Sequence, residues 1–477
     1  MMHVIVLFPL FCALIARVMK NRFRPLVVVF AALVHLAMTL YLTANPPLPS
    51  AEGWIWLDPL GRIVLLCISV LFTICAFYAV GYLRFYSTRS NRLLCVCMLV
   101  CLSAMTLVTM AQHLGVFWVA IETTTLTMAP LIYFNRNARS IEATWKYIMI
   151  CSVGIALALL GLMFLAYSTY VAHREATLVL GQLLLSAADL NKDWLHGAFI
   201  FLLVGYGTKL GLAPLHAWKP DTYGEAPGIV GALLAGGLVS CAFLALIRVY
   251  QICLASGTDI VFFQQTLIGM GLLSMAVSGI FMVKQTDFKR MLAYSSVEHV
   301  GILSIGLGLG KEAVFASLFH IINNSLTKGV LFLSAGNIQR SYSSKSILKV
   351  QGALKRLPWS AGLFLTGFIA ITGSPPFSPF ISEFGIVESA FAQGRYVVGG
   401  LFLVFLAMIF IGLVNIVIPV VMGDPPEDIA ETEYNDRFLT VAPLCVVMFI
   451  VLLLGIWQPP FLISLLHEGA AMLEVSP

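Results

Sequence analysis

Five ionisable residues interrupt long apolar stretches of this sequence. Glu122 lies in GVFWVAIETTTLTMAPLIYF, Lys209 in FIFLLVGYGTKLGLAPLHAWKPD, His320 and Lys328 in FASLFHIINNSLTKGVLFLSAGN, and Glu383 in PFISEF. A charge in an apolar span costs roughly 2.5–3.5 kcal/mol on insertion scales, so each needs a reason. A carboxylate and an ammonium placed together in low dielectric keep each other charged, and separating them moves both toward neutrality, which is the coupling a proton relay requires. Glu122 and Lys209 are candidates for such a pair; a static buried salt bridge that fixes packing is the alternative. His320 and Lys328 are two helical turns apart, about 12 Å along the axis and roughly 80° around it, with Asn324 between them. Histidine titrates near neutrality, so the two could pass a proton through intervening water, although a lone histidine on an apolar face is commonly a satisfied core residue. Glu383 could cap a half-helix beginning near Ser378, but it sits five residues in. Glu298, with His299 in MLAYSSVEHVG, is open to a relay role or to an interfacial one. Glu142 and Lys146 are spaced i,i+4 in the order that supports a helix start, a structural reading.

The elements that must position these groups follow from composition. Hydrophobic residues make up 60% of the 477 positions and charged residues 11%, against about 25% charged in a typical soluble domain. This is an all-α polytopic membrane protein. The net charge of +5 is spread singly or in threes between apolar runs and forms no nucleic-acid patch. The ten cysteines fall mostly inside those runs, and the cluster Cys95, Cys97 and Cys101 lacks a fourth ligand nearby, so they read as buried thiols with no metal.

At about 20 apolar residues per span, fourteen helices are expected, near 2–19, 25–44, 60–80, 93–111, 114–134, 143–168, 195–212, 227–249, 262–283, 291–309, 313–335, 359–391, 396–423 and 438–457. The first run has no cation ahead of it, which argues against a cleaved signal peptide. One alternate set of loops collects nineteen Lys and Arg, Lys219, Lys289 and Arg437 among them; the other holds six, including Arg62, Arg174 and Arg248. The positive-inside rule then puts both termini on the non-cytoplasmic side.

Prolines break two of these helices: Pro214 five residues after Lys209 in the seventh, and Pro375, Pro376 and Pro379 in the twelfth. Broken helices in corresponding positions are the mark of inverted repeats with a site near the midplane. The spacing of five suggests two inverted five-helix repeats, 93–249 and 262–423, after three N-terminal helices in 1–92 and before a C-terminal helix and tail in 438–477.

The segments FWVAIE, VGYGTKLGLAPLHAWKPDTYGEAPG, KRMLAYSSVEHVG, HIINNSLTKGVLF and PFISEF, in this order, resemble the antiporter-like subunits of respiratory complex I, of Mrp-type sodium/proton antiporters and of group 4 membrane-bound hydrogenases, most of all the F-type membrane component of hydrogenase-4. The resemblance spans nearly the whole chain. It implies fourteen helices in two inverted repeats and a proton path through a Glu on the fifth helix, a Lys on the seventh, a central Lys and His, and a Glu or Lys on the twelfth. Glu122, Lys209, His320, Lys328 and Glu383 match in place, and Glu298 and His216 belong to the matched segments. Two departures are plain: Ser240 stands where the eighth helix often carries a Lys, and Asn324 where a second His is usual. WLPD is WKPD here, leaving Lys219 an unexplained interfacial cation, and the chain stops at Pro477 without a long lateral helix.

The sequence holds no GxGxxG after a strand, no complete cysteine cluster and no soluble domain. No redox cofactor is therefore expected in the chain, and electron transfer falls to a peripheral redox module. The expectation is a proton-translocating subunit of a hydrogenase or NADH dehydrogenase type complex in a bacterial or archaeal plasma (inner) membrane, partnered by other membrane subunits, the bilayer, and protons or sodium. The alternatives are a sodium/proton antiporter subunit and a structural anchor without conduction.

Overall fold

A computed structural model of the chain describes residues 1–48, 53–85, 89–424, 432 and 434–474. In lipid an apolar segment must satisfy its own backbone polar groups, and helix formation does this. The helices are α1 Met2–Val18, α2 Arg24–Ala44, α3 Pro59–Phe85, α4 Arg92–Met110, α5 Leu114–Ile132, α6 Ala138–Val171, α7 Leu180–Leu185, α8 Lys192–Leu210, α9 Trp218–Glu225, α10 Gly228–Ala232, α11 Val239–Ala255, α12 Ile260–Met282, α13 Phe288–Leu309, α14 Glu312–Tyr342, α15 Ala353–Arg356, α16 Pro358–Ile371, α17 Ser378–Ala392, α18 Tyr396–Met422, α19 Phe438–Ile456 and α20 Pro460–Ala471. Among the described residues the only β contacts are isolated bridges.

Twelve of the expected runs each fall on one helix, whereas 227–249 is divided among α10, a π-helical segment and α11, and 359–391 between α16 and α17. Ten helical stretches among the described residues are long and apolar enough to cross a membrane by length and composition; α1 and α16 are apolar but shorter. The chain is a multi-pass integral membrane protein. Its last helix, α20, folds back from the tail, with Gly469 set against Ile63 and Leu318.

Both proline breaks are real interruptions with distinct chemistry. Helix α8 stops at Leu210 because Gly211 turns left-handed at φ +80, and the chain resumes as α9 only at Trp218. Helix α16 stops at Ile371, Gly373 is left-handed at φ +63, and α17 begins at Ser378 with proline in its first turn. A third irregularity lies in the eighth run, where Leu233–Leu238 form a π-helical segment between α10 and α11. Such segments mark insertions in a helix that are common at functional sites. Here close packing explains the glycines, since a Cβ on Gly236 would lie 2.5 Å from Leu71 Cδ2 and 2.9 Å from the Ser325 carbonyl oxygen.

Polarity sorts the helices by depth in the bundle. The apolar windows of α10–α11 and of α13 are entirely buried, whereas a third of those in α2, α12 and α18 is buried. The outer helices present Phe30, Met149, Val153, Ile280 and Val404 outward, where lipid is as good a solvent for them as protein. The polar helix α14 runs through the centre, against α3, α10, α13, α16, α17 and α19.

Several cations counted as loop residues are interior groups. Lys219 and Lys289 are fully buried; Lys289 donates to the Ala226 carbonyl at 2.6 Å and to Gln339 at 3.0 Å. Arg248 makes a buried two-pronged ion pair with Asp58, with Nη2 2.7 Å from Oδ1, and Arg62 pairs with Glu468 at 2.6 Å. The ends of the bundle fold over these side chains, which apolar-run counting cannot register.

Candidate functional site

The first cluster joins α5, α6 and α8. Lys209, in the last turn of α8 before the break, donates to Thr125 Oγ1 at 2.6 Å and to the Tyr147 hydroxyl at 3.0 Å. Glu122, one turn before Thr125 on α5, accepts from Ser152 at 3.3 Å, and its Oε2 has no hydrogen-bond partner among the described residues. The expected direct Glu122–Lys209 salt bridge is not formed: two hydroxyls hold the ammonium instead. Glu122 is nevertheless near enough to act on Lys209 electrostatically. A hydroxyl both donates and accepts, so this arrangement can pass a proton as a locked ion pair cannot.

The second cluster crosses the centre. Trp218 donates its indole N–H to the Thr208 carbonyl at 2.9 Å, tying α9 back to the end of α8. Lys219 then lies over Gly211, where a Cβ would come within 2.3 Å of Cε, and donates to Ser296 Oγ at 3.2 Å. The neighbouring Ser295 accepts from Lys328 Nζ at 2.6 Å. Glu298 follows Ser295 by one turn of α13; it is buried, and its Oε2 has no partner among the described residues.

The third cluster joins α13, α14 and α17. His299 Nδ1 and His320 Nε2 are 3.0 Å apart, and His320 Nδ1 is 2.9 Å from Ser382 Oγ. Ser382 donates its one hydroxyl proton to the Pro379 carbonyl at 2.9 Å and accepts from Asn323 at 3.1 Å. That leaves His320 as the donor through Nδ1 and as the acceptor, through Nε2, of the His299 Nδ1 proton. Glu383 Oε1 lies 3.9 Å from His299 Nδ1, and neither of its oxygens has a hydrogen-bond partner among the described residues. It does not cap α17; its carboxylate lies over the break, where a Cβ on Gly373 would come within 2.2 Å of Oε2.

His299, His320 and Glu383 offer three ligand atoms within 4.8 Å of one another. Two imidazoles and a carboxylate are a donor set zinc accepts. Three of the four imidazole nitrogens are engaged with each other and with Ser382, and only His299 Nε2 has no partner among the described residues, so both His320 nitrogens would have to give up their hydrogen bonds to bind a metal.

The remaining candidates stand aside from this string. Ser240 turns its hydroxyl onto its own helix at the Gly236 carbonyl, 2.6 Å away. Asn324 is buried without contacting His320's partners; Asn323 makes those contacts, donating also to the Ser378 carbonyl at 3.0 Å. His216 is half-buried in the α8–α9 break, its ring 6.3 Å from that of Tyr294. Glu142 and Lys146 form the expected i,i+4 pair at 2.6 Å.

Sequence reading missed Ser295, Ser296, Ser382 and Lys219 and left His299 unassigned. The signal was present in the polar run SSVEH, but Lys289 and Arg290 just before it suggested an interface. Glu298 is in fact ten residues into α13, about 15 Å along the axis.

A family profile described as NADH:quinone oxidoreductase/Mrp antiporter, TM, matches residues 111–412. The chain belongs to this antiporter family. The matched region contains the whole string from Glu122 to Glu383. The hydrogenase-4 component F homolog of Methylacidiphilum infernorum (isolate V4) is 32% identical to this antiporter-family chain over 395 residues, 82% of the chain and 80% of the relative. NADH-quinone oxidoreductase subunit N of Desulforudis audaxviator (strain MP104C) is 27% identical over 412 residues, 82% of the chain and 81% of the relative. A chain of the membrane-bound sulfane sulfur reductase, an archaeal respiratory membrane complex, shares the fold at a TM-score of 0.89 and 21% identity, with 99% of this chain and 97% of that one covered.

Proposed function

We propose that the chain is the antiporter-like, proton-translocating membrane subunit of a redox-driven complex of the hydrogenase or NADH dehydrogenase type, in a bacterial or archaeal plasma membrane. The observation that carries this reading is the succession of buried titratable and hydroxyl groups through the bundle: Glu122, Lys209, Lys219, Lys328, Glu298, His299, His320 and Glu383, with Thr125, Tyr147, Ser295, Ser296 and Ser382 between them. Buried polar groups are ordinarily satisfied, yet along this string Glu298, His299, Asn323, Asn324, Ser325, Thr327 and Glu383 each keep an atom without a partner among the described residues. Such atoms are what interior waters bond to, each water requiring two to four polar partners. Ser240 has no side-chain hydrogen bond to Lys209 or Lys328 among the described residues, and the α13 serines, which hold Lys219 and Lys328, offer the crossing in its place.

In this reading the fourteen helical runs are fourteen spans in two inverted repeats, 93–249 and 262–423, with both termini non-cytoplasmic, and each break has a buried charge beside it, Lys209 before the first and Glu383 after the second. A proton taken by the first cluster changes the charge felt by Lys209, and each later group responds in turn, as buried charges in low dielectric must. Redox chemistry belongs to partner subunits.

The test uses inverted membrane vesicles carrying the complex that contains this chain. Proton uptake should accompany redox turnover and disappear in Lys209→Met with assembly intact. The family description also names Mrp antiporters, so the purified chain in liposomes supplies the second arm: sodium/proton exchange without redox partners would establish the antiporter reading, and absence of ion movement in both systems the anchor reading.

A further inference from the structure

Lys219 has no role in the motif reading, yet its surroundings are built around it. It is fully buried, no carboxylate lies within ion-pair distance of it among the described residues, and its stem occupies the space that Gly211 leaves by lacking a Cβ. Its Nζ donates to Ser296 while Lys328, on α14, donates to the neighbouring Ser295. The two lysines are close enough to act on each other electrostatically. Two like charges in one low-dielectric space cannot both be held cheaply, so a proton on one disfavours a proton on the other.

Helix α9 also borders an open cavity. Pro220, Asp221 and Glu225 line a charged cavity of about 860 Å³. In its wall Asp221 pairs with Lys146 and Arg290, each at 2.8 Å, and Lys345 pairs with Glu225 at 2.6 Å and Asp287 at 3.2 Å. Lys146 and Arg290 are each 43% exposed, so this cavity meets solvent. Lys219 thus precedes in sequence two residues that line the cavity, Pro220 and Asp221, and its serine partner is the chain neighbour of the serine that holds Lys328.

We infer that Lys219 is the central proton carrier of the axis, loading from the charged cavity and discharging through Ser296 and Ser295 to Lys328. The inference rests on the proton-axis reading above. In the discharge step an N–H bond of the Lys219 ammonium breaks and one forms on the neutral Lys328 amine. A water between the two hydroxyls completes the path; Ser296, the water and Ser295 each accept one proton and release one and are left unchanged, so one positive charge moves from Lys219 to Lys328. The competing role for Lys219 is static, a cation at the C-terminal end of α8 where the helix dipole favours it.

The experiment compares Lys219→Met, Lys219→Arg, Lys209→Met and Lys328→Met in inverted vesicles carrying the complex, with proton uptake read against redox turnover. Arginine keeps the charge but cannot release its proton. A carrier therefore predicts that both Lys219 variants lose uptake about tenfold or more, in the range of a lost proton-transfer group. Uptake retained in Lys219→Met or restored in Lys219→Arg, while the other two variants lose it, overturns the inference and leaves the axis standing. Uptake retained in all four removes the axis itself. If the Lys219 variants do not assemble, Ser296→Ala against Ser296→Thr decides: loss with alanine and retention with threonine supports the carrier, and equal uptake overturns it.

Discussion

His299 and His320 lie 3.0 Å apart, Nδ1 to Nε2, with ring centroids at 5.1 Å, although one belongs to α13 and the other to α14. Their protons are ordered by Ser382, which can only accept from His320 because its own proton goes to Pro379. In that arrangement His299 donates through Nδ1 and His320 accepts through Nε2. Glu383 Oε1 lies 3.9 Å from His299 Nδ1, and neither carboxylate oxygen has a hydrogen-bond partner among the described residues.

Replacing His320 by glutamine keeps a hydrogen-bonding side chain but removes the titrating ring. Proton uptake by the assembled complex should fall about tenfold or more, and His299→Gln should match it. Uptake at the level of the unaltered complex in either variant would rule out a histidine wire.

Lys209→Met should cripple coupled uptake with assembly preserved, because Thr125 and Tyr147 can bond to water once the ammonium is gone. Glu122→Gln should behave alike. The double variant should cost little more than either single one, since groups acting as a unit are not additive; strictly additive losses, measured as initial uptake rates, would separate the two residues functionally.

Asp58 and Arg248 form an ion pair with side chains 0% and 1% exposed. Removing one partner leaves a buried unpaired charge, and Arg248→Met is expected to destabilise by about 3–5 kcal/mol. Combining it with Asp58→Leu should recover much of that loss. Thermal unfolding in detergent gives the comparison, and a double variant no more stable than Arg248→Met would contradict it.

Ser343→Cys and Ala176→Cys test the orientation. Ser343 lies in the 336–356 region and Ala176 in the 171–194 loop, and both are exposed. An impermeant thiol reagent should label the first from the cytoplasmic side and the second from the other; labelling of both from one side would overturn the count of spans.

The amino-acid sequence by itself determined that the chain is helical and membrane-embedded, because too few charges exist to cover a soluble globule and each apolar run can satisfy its backbone only as a helix. It also determined where helices seven and twelve break, since proline chemistry is local, and it marked Glu122, Lys209, His320, Lys328 and Glu383 as costly enough to need partners. Which partners they have was decided by tertiary structure alone. Lys209 meets hydroxyls instead of Glu122, Lys219 and Lys289 are interior instead of interfacial, and α13 supplies the serines that hold Lys219 and Lys328 and the His299 that meets His320. Hydrogen bonds between helices depend on rotation and depth to within about an ångström, and hydrophobic periodicity carries no information at that precision when a helix such as α14 is buried on every side.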